Sequence, residues 1–565
     1  MTQPDRTAAG PAPGLVPVRA VHGSHGAVVA PHYLATAAGL GILRAGGSAV
    51  DAAIATNAVL GVVMGNACGI GGDAFWLIWD AAGGGGGRLH ALNGSGRAAA
   101  GADPARLRES GLVTLPLRGP LAALTVPGAV RSWSDAAARF GRLSVRGLLG
   151  PAIELAHEGF PAWEGYAAAV EASNPLFTAT LGAASPWAAV HRPHGRPWRP
   201  GERVRLPALA GTLERLAEAG LDDFYDGEVA ERQARGLEAA GSPLRVADFR
   251  RHRSTWGEPI ATPYRGITVA THPPNSQGVT GLQILGILER FEPPPPGVFA
   301  AGLGPDLRWV HLLLEANKLA LADRDRWLTD PEAREVPVAA LLDPAHAAEL
   351  AGRIDPARAA APPVATVPRG GGTVYLAAAD RWGNAVSLIE SNYMGFGSGV
   401  LEPETGIHYQ NRGSYFSLDP AHPNVLTPGK RTLHTLLPAM ALRDGRPWVV
   451  LGSMGGDAQP AILAQVVSGL VDGGLDVATA VGAPRCFAEP PAHFAPPDHV
   501  PAEPRFRPGL LEGLAAMGHT VVRAQPFDGW LGHCHAIELL DGGPVAGGTL
   551  QAATDPRSHG LPAAW

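Results

Sequence analysis

Thr373 follows three consecutive glycines and opens an apolar stretch, an arrangement that suits a nucleophile released by self-cleavage. A hydroxyl is a poor nucleophile at neutral pH and needs an adjacent base. If the chain is cut after Gly372, the new α-amine of Thr373 can be that base, because its pKa is about 7.7–8.0. Gly370-Gly371-Gly372 permits a strained peptide at little steric cost, so the Thr373 hydroxyl can attack the Gly372 carbonyl. The competing interpretation, which spacing alone favours, is a threonine that starts an ordinary strand.

Other residue patterns give weaker chemical signals. His533-Cys534-His535 could suggest metal ligands, but strand alternation directs the two histidines to one face and the cysteine to the other. No further ligand set is spaced nearby, and we predict no metal. Cys68 could be a nucleophile, but no motif implies a partner histidine, which favours a buried small residue. Gly83–Gly87 has no helix after it, which favours a hairpin loop over a phosphate-binding loop.

Strands in both halves of the chain, with helices clustered between them, must position these groups. Residues 27–64 predict a strand followed by two helices, and residues 145–250 and 305–355 are predicted to be mainly helical. Residues 355–372 are rich in Ala, Pro and Gly and indicate a flexible linker. Strands are predicted at residues 74–80, 88–92, 373–380, 385–391, 533–540 and 545–553. This order predicts an α+β sandwich of sheets covered by helices.

The composition excludes several classes of protein. The chain has 565 residues, of which 46% are apolar, so it can bury a large core. A formal charge of −6 without a long Lys/Arg run argues against a nucleic-acid partner. Three widely spaced cysteines give no disulfide framework. Neither a signal peptide nor an apolar run of about 18 residues is visible, so we expect no membrane partner and a cytoplasmic location.

A series of ordered sequence blocks resembles the γ-glutamyltransferases, which are N-terminal-nucleophile hydrolases. The stretch from Thr373 to Ser387, followed by Phe396–Val400, resembles the start of their small subunit. Further blocks match from about residue 22 to the C-terminus: Ala45–Ala53, Gly69–Gly72, Thr125–Gly128, Pro273–Gly278, Gly429–Arg431, Gly452–Gly456, Ala483–Arg485 and Ala553–Arg557. The resemblance reverses the preference for an ordinary strand at Thr373. It implies a four-layer αββα fold, self-processing, and neither a metal nor an organic cofactor.

The resemblance also implies the domain organisation and the reaction machinery. Residues 1–372, with a flexible tail at about 355–372, would form the large subunit and residues 373–565 the small subunit. Together they would form one αββα catalytic unit as a heterodimer, and a dimer of heterodimers is left open. Thr373 aligns with the nucleophile, and Ser391 with a hydroxyl that hydrogen-bonds it. Gly455 and Gly456 align with the pair whose N–H groups form the oxyanion hole, where the loss of a donor typically costs about 10²–10³ in rate.

The substrate-binding positions depart from the family pattern. γ-Glutamyltransferases hold the substrate α-carboxylate with an Arg, and its α-ammonium and neighbouring atoms with Asn, Gln and Asp. Near the family's Arg this chain has Gly94, with Arg97 a few residues later as a candidate replacement. The family's Asn, Gln, Asp and a Ser-Ser pair are replaced, in that order, by Tyr393, Arg412, Tyr415 and His434-Thr435.

These replacements predict a change of substrate. An acidic ammonium-binding group is lost and a guanidinium is gained, so we expect a carboxylate to be favoured over an ammonium. Loop 416–430 is shorter than the family's lid, which predicts an open site. The set Asn411–Ser414 with His434-Thr435 resembles a branch that includes an oxamate amidohydrolase and glutaryl-type cephalosporin acylases.

The expected function is therefore hydrolysis or acyl transfer, in which water or an amine resolves an acyl-enzyme. The expected substrate is a small amide that carries a carboxylate (oxamate-like or glutaryl-like) or a γ-glutamyl compound. The alternative is an unprocessed, catalytically silent family member that acts as a binding protein.

Overall fold

The computed structural model describes residues 19–84, 86–299, 302–361, 372–488 and 499–565. Two seven-stranded sheets form the centre of this part of the chain. Sheet A has the strand order β1 (Val21–Gly23), β19 (Thr549–Ala553), β18 (Cys534–Leu540), β15 (Arg446–Ser453), β14 (Pro438–Arg443), β9 (Ile267–Thr271) and β8 (Ile260–Tyr264). Sheet B has the order β20 (Ala563–Ala564), β2 (Ala27–Val29), β10 (Gly372–Ala379), β11 (Ala385–Tyr393), β3 (Asp73–Asp80), β4 (Arg88–Gly94) and β7 (Thr255–Gly257). Short two-stranded pairs are β5 (Phe160–Pro161) with β6 (Arg203–Val204), β12 (Leu401–Glu402) with β13 (Ile407–His408), and β16 (His499–Ala502) with β17 (Thr520–Arg523).

Helices cover the outer face of each sheet. Those that come before β7 are α1 (Tyr33–Arg44), α2 (Ala49–Val63), α3 (Pro104–Glu109), α4 (Ala129–Phe140), α5 (Val145–Glu158), α6 (Glu164–Leu181), α7 (Pro186–His191), α8 (Pro207–Ala219), α9 (Asp223–Asp226), α10 (Glu228–Ala240) and α11 (Val246–Arg251). The later ones are α12 (Gly278–Leu288), α13 (Pro296–Phe299), α14 (Leu307–Trp327), α15 (Val338–Leu341), α16 (Pro344–Gly352), α17 (Gln459–Val471), α18 (Val477–Gly482) and α19 (Leu510–Ala516). No helix in the described ranges is both long and apolar enough to cross a membrane.

Strand alternation divides the core into layers. In β10, Val374 and Leu376 pack against α2 and its neighbouring helices, whereas Tyr375 and Ala377 point toward sheet A. Helices α12, α14 and α17 pack on the other face of sheet A. Helix α2 is apolar around almost its whole circumference, as expected of a helix that is buried on all sides. The predicted αββα sandwich is confirmed.

The Gly372–Thr373 bond lies at the start of a central strand. β10 pairs antiparallel with β11 and with β2, and β11 pairs antiparallel with β3. Each sheet contains strands from both sides of that bond. In sheet B, β2, β3, β4 and β7 come before it in sequence, and β11 and β20 come after it. In sheet A, β1, β8 and β9 come before it, and β14, β15, β18 and β19 come after it. A cut at this bond would leave two fragments hydrogen-bonded through both sheets.

The predicted strands are present, most with boundaries shifted by one or two residues. The exception is the last predicted strand, 545–553, which begins only at Thr549 because Pro544–Ala546 form a 3₁₀ turn. Gly83–Gly87 joins β3 and β4 as a hairpin loop, as predicted, although Gly85 lies outside the described residues.

The structure describes only the first part of the predicted linker. Residues 362–371 lie outside the described residues, and residues 355–361 contain no helix or strand but have defined contacts. This part is held by α14 and by the end of α19 through buried side chains and backbone groups. The contacts are His311 Nε2 to the Asp355 carbonyl (2.8 Å), Lys318 Nζ to the Ala360 carbonyl (2.7 Å) and the Ala359 N–H to the Met517 carbonyl (2.7 Å).

The two sheets approach closely beside the start of β10. The Tyr375 ring lies on Gly452 of β15, stacks near His535 and forms a hydroxyl hydrogen bond of 2.9 Å with Ser387. A Cβ added at Gly452 would lie 2.3 Å from Tyr375 Cε2. Only glycine at this position allows the tyrosine to fill the gap between the sheets.

We therefore expect Gly452→Ala to destabilise the protein by about 1–3 kcal/mol, since a methyl group would overpack this contact. Urea or thermal unfolding measures the effect. Gly211→Ala is the matched control, because a Cβ at Gly211 in α8 meets nothing within 4 Å. That variant should be neutral or slightly stabilising, and equal losses in both variants would contradict the packing argument.

Candidate active site

The hydroxyls of Thr373 and Ser391 face each other across β10 and β11. Thr373 Oγ1 donates to Ser391 Oγ at 3.0 Å, and Ser391 Oγ donates to the Gly372 carbonyl at 2.5 Å. Ser391 Oγ also accepts from the Tyr393 N–H at 2.7 Å. Gly372 and Thr373 both belong to β10. One hydroxyl thus contacts the predicted nucleophile and the carbonyl that self-cleavage would attack.

An irregularity in the pairing of β10 with β11 helps to set the positions of the two hydroxyls. The pairing register of β10 and β11 shifts between Gly372 and Val374. Tyr393, at the end of β11, has a φ of 76°, an uncommon backbone conformation for a residue with a bulky side chain. Bulges and strained residues of this kind are frequent beside active sites, where they re-aim side chains.

The prediction of an open site is wrong for the uncut chain. Thr373 is 2% exposed and Ser391 is fully buried. Loop 416–430 folds back on itself through the Asn424 amide, which donates to the Tyr415 carbonyl at 2.9 Å and to the Thr432 hydroxyl at 2.8 Å. Asn424 thus joins the two ends of this short loop.

Gly455 and Gly456 form a turn between β15 and α17. Their φ values are 143° and 56°, which residues with a side chain rarely adopt. In the described part of the chain, neither backbone N–H makes a hydrogen bond. Two adjacent donors without partners, close to the N-terminus of a 13-residue helix, are suited to an anionic oxygen.

A buried polar network supports this turn from behind. Gln277 Nε2 donates to the Gly456 carbonyl at 2.9 Å and to the Thr435 carbonyl at 2.7 Å. Arg324, which is fully buried on α14, donates to Gln277 Oε1 at 3.0 Å and to Asp457 Oδ1 at 2.6 Å. The turn that carries the two glycines is thereby tied to a helix on the far side of sheet A.

Arg412 is buried beside the same turn with most of its hydrogen-bonding capacity unused. Its guanidinium lies 4.1 Å from the centre of the Tyr393 ring, and Nη1 donates to Thr435 Oγ1 at 3.3 Å. Nε and Nη2 are buried and have no hydrogen-bond partner among the described residues. Burial lowers the pKa of Arg412, but a guanidinium stays charged at neutral pH. Such a group is a ready receptor for an anion.

A carboxylate from another segment lies beside Tyr415. The Tyr415 hydroxyl donates to Asp457 Oδ1 at 2.7 Å, so a carboxylate still lies beside this position. The same oxygen accepts from Arg324, so its charge is balanced within the protein. The sequence comparison missed this compensation because Asp457 lies 42 residues from Tyr415.

His434 and Thr435 lie on opposite sides of one backbone segment. Thr435 contacts Arg412, whereas His434 Nε2 lies 3.1 Å from Asp73 Oδ2. Burial, with Arg412 nearby, holds the pKa of His434 well below its usual range. Burial also raises the pKa of Asp73 to about 6, against the opposing effects of a Gln410 hydrogen bond and the Arg412 charge.

Most of the predicted site residues are linked by direct contacts. Thr373 and Ser391 are joined by a hydrogen bond between their hydroxyls, and Ser391 accepts a second one from the Tyr393 N–H. The Arg412 guanidinium lies over the Tyr393 ring. Arg412 in turn contacts Thr435, which shares Gln277 with Gly456. The described residues therefore connect the nucleophile candidate with the glycine turn through the Arg412 side chain.

Arg97 is not part of this chain of contacts. Both oxygens of Glu332 accept from its Nη2 at 2.8 Å, and Asp330 lies 3.5 Å from Nη1. Its side chain is partly exposed, at 31%, in a cleft that also contains Arg251 and His252. The guanidinium is thus occupied by two acids, which leaves it poorly placed to hold a substrate carboxylate.

Two other candidate groups have structural partners. Burial beside Glu390 raises the pKa of the Cys68 thiol well above its usual range, which is unfavourable for a nucleophile. In the described ranges, one cluster has metal-ligand geometry: His311, Glu315 and His519, whose ligand atoms lie within 4.8 Å of one another. The Lys318 ammonium, however, lies 2.7 Å from Glu315 Oε1 and supplies the positive charge there.

The residues that sequence reasoning missed are Asp73, Gln277, Arg324 and Asp457. Asp73 directly follows the Gly69–Gly72 block, Gln277 lies within the Pro273–Gly278 block, and Asp457 directly follows Gly456. These three residues could have been found as polar residues inside or next to the sequence blocks that resemble the family. Arg324 carried no such signal, because its role depends on contacts with residues far away in sequence.

Comparisons with known proteins agree over nearly the whole chain. The sequence profile described as Gamma-glutamyltranspeptidase matches residues 35–565. The oxamate amidohydrolase proenzyme of Klebsiella pneumoniae subsp. pneumoniae is 39% identical over 554 residues, covering 96% of this chain and 99% of the relative. The glutathione hydrolase-like YwrD proenzyme of Bacillus subtilis (strain 168) is 38% identical over 543 residues, with coverage of 96% and 99%. The crystal structure of cephalosporin acylase from Bacillus halodurans has a TM-score of 0.88 at 37% identity, covering 100% of this chain and 99% of that one.

We expect Arg324→Met to destabilise the protein by about 3–5 kcal/mol, because it leaves the Asp457 carboxylate buried without its cation. Chemical denaturation measures the loss, and adding Asp457→Asn should recover part of it. The control is Arg232→Met, which breaks a pair with Glu228 whose side chains are 42% and 46% exposed. That change should cost at most about 1 kcal/mol, and a similar cost for both arginines would contradict the proposed support.

Proposed function

The chain belongs to the gamma-glutamyltranspeptidase family, and on that premise we propose that it cuts itself between Gly372 and Thr373 and then hydrolyses small amides that carry a carboxylate. Its activity class is that of an N-terminal-nucleophile amide hydrolase or acyltransferase, as in its relatives. The observation that carries the self-cleavage is the Ser391 hydroxyl, which bonds both Thr373 Oγ1 and the Gly372 carbonyl.

The first reaction follows from that contact. Thr373 Oγ attacks the Gly372 carbonyl carbon while Ser391 donates its proton toward the carbonyl oxygen and accepts the proton of Thr373. The C–N bond then breaks as the proton on the former carbonyl oxygen passes to the threonine nitrogen, and the acyl group remains on the threonine oxygen as an ester. Water then hydrolyses the ester, which leaves a carboxylate on Gly372 and a free α-amine on Thr373.

In the second reaction, the freed α-amine takes the proton of the Thr373 hydroxyl as this attacks a substrate amide. The N–H groups of Gly455 and Gly456 stabilise the negative charge that develops on the substrate oxygen. The leaving amine departs with the returned proton, and water releases the acid from the acyl-enzyme. An amine in place of water would give acyl transfer.

Two subunits from one precursor are the expected product. Several relatives carry the word proenzyme in their names. Strands from residues 1–372 and from residues 373–565 share both sheets, which supports a heterodimer that stays together after cleavage. A cytoplasmic location and a pairing of heterodimers remain predictions from the sequence.

The substrate class rests on Arg412. Its Nε and Nη2 are buried, have no hydrogen-bond partner among the described residues, and lie next to Tyr393 and Thr435. A substrate carboxylate could accept from these donors, whereas an ammonium would be repelled. Relatives named for oxamate hydrolysis and for cephalosporin acylation support small amides near a carboxylate, and γ-glutamyl compounds remain an alternative.

Self-cleavage predicts that the purified wild type gives two bands on a denaturing gel, with masses that add up to 58.3 kDa. Thr373→Ala should give one band of full length, because the attacking oxygen is gone, and Thr373→Ser should still be cut. N-terminal sequencing of the smaller band should begin at Thr373. An uncut wild type would instead support a catalytically silent binding protein.

The role of Arg412 predicts a selective loss in Arg412→Met. The KM for glutaryl-p-nitroanilide should rise about ten- to hundredfold, because a charge-assisted hydrogen bond contributes about 1.5–3 kcal/mol. Hydrolysis of acetyl-p-nitroanilide, which has no carboxylate, should change little and serves as the control. Oxamate and γ-glutamyl-p-nitroanilide complete the panel, and efficient γ-glutamyl transfer to a dipeptide would contradict the proposed substrate class.

A further inference from the structure

Asp73 lies on the same face of sheet B as the nucleophile, one strand beyond Ser391. It is paired in register with Ser391, whose hydroxyl contacts Thr373 on the next strand. Its side chain is completely buried. The sequence predicts no role for this carboxylate, and it takes no part in the two proposed reactions.

Four separate segments converge on the Asp73 carboxylate. Each donates one hydrogen bond: the Gly96 N–H (3.0 Å), the Gly128 N–H (3.1 Å), Gln410 Nε2 (2.9 Å) and His434 Nε2 (3.1 Å). Two of them, Gly96 and Gly128, come from the part of the chain before the cleavage site, and the other two come after it. Three of these bonds go to Oδ1 and the one from His434 goes to Oδ2, so together they hold the carboxylate in one orientation.

The Leu436 N–H and the Asp73 carboxylate determine which ring nitrogen of His434 carries the proton. The Leu436 N–H donates to His434 Nδ1 at 3.4 Å, so the ring proton is on Nε2, the atom that faces Asp73. Asp73 therefore acts as an acceptor for a neutral imidazole. The charged groups that interact electrostatically with Asp73 include Arg412 and Arg431.

The two donors that follow the cleavage site, Gln410 and His434, belong to the two segments that hold Arg412. Gln410 is two residues before Arg412, and His434 is directly before Thr435, the residue that contacts Arg412 Nη1. Asp73 is thus bonded to both segments that decide where the guanidinium lies. We propose that Asp73 is a positioning residue for substrate selectivity: it holds the Arg412 and His434–Thr435 segments in place so that the unused Arg412 N–H groups face the substrate carboxylate.

The inference rests on the proposed function, because it gives Arg412 the carboxylate-binding role. Asp73 itself does not contact substrate; it acts through the two segments. Loss of the oxygen that accepts from His434 should therefore raise KM for carboxylate-bearing amides and leave the chemistry at Thr373 largely intact. A purely structural carboxylate would instead change stability without changing selectivity.

Asp73→Asn tests this directly. The amide oxygen can still accept from Gly96, Gly128 and Gln410, but its NH₂ group then faces the N–H of His434. We expect normal cleavage on a denaturing gel, a kcat within about threefold of wild type, and a KM for glutaryl-p-nitroanilide raised about ten- to hundredfold. KM for acetyl-p-nitroanilide should stay unchanged. Adding His434→Gln should restore part of the selectivity, because its carbonyl oxygen can accept from the new amide.

Asp380→Asn is the matched control. Asp380 is also buried and accepts four hydrogen bonds, but it does so at the hairpin at the other end of β10, from Ala49, Trp382 and twice from Asn384. It should lose a comparable amount of stability with both KM values unchanged. If Asp73→Asn does not yield folded protein, His434→Met alone removes the Nε2–H donor and should show the same split between the two substrates.

The outcomes separate this inference from the proposed function. Unchanged selectivity in a folded, cleaved Asp73→Asn overturns the positioning role, and so does an equal change in Asp380→Asn. A wild type that hydrolyses the neutral amide as well as the carboxylate-bearing one overturns the proposed substrate class. A wild type that is not cleaved overturns the reaction itself.

Discussion

The hydrogen bond between Ser391 and the Gly372 carbonyl is the contact on which the rest of the site depends. It can form only if β10 begins at Gly372, if β11 continues to Tyr393, and if the register shifts between Gly372 and Val374. Those conditions in turn need β10 and β11 in the centre of sheet B, covered by α2 on one face and by sheet A on the other. The αββα sandwich is therefore the scaffold that fixes a single pair of hydroxyls.

Buried charge in this protein serves to hold backbone segments. Arg324 connects α14 to Asp457 and Gln277, and Gln277 holds the carbonyls of Gly456 and Thr435. Each of these groups is desolvated, and such groups are tolerated only when their hydrogen bonds are made. The network therefore favours one arrangement of the glycine turn, in which the N–H groups remain free for an oxyanion.

Sequence reasoning located the reacting groups through a family resemblance and not through local pattern alone. The setting of Thr373 is equally that of an ordinary strand start and Gly455-Gly456 could be an ordinary turn, so the ordered blocks along the chain were needed to assign both. The fold class followed from the order of strands and helices. The supporting residues could not be found in this way, because their partners are remote: His434 lies 361 residues from Asp73, and Arg324 lies 133 residues from Asp457. The same remoteness hid Asp457, whose carboxylate lies beside Tyr415 but is paired with Arg324.

The charge balance around Arg412 is incomplete in a way that favours an anionic ligand. Asp457 is paired directly with Arg324, and the four donors to Asp73 are all uncharged: two backbone N–H groups, an amide and a neutral imidazole. Arg412 thus interacts with both acids only at a distance, and the described residues offer its Nε and Nη2 no acceptor. A guanidinium kept out of water without a direct anion is costly. A substrate carboxylate would supply the missing partner at the point where the contacts from Thr373 and from the glycine turn meet.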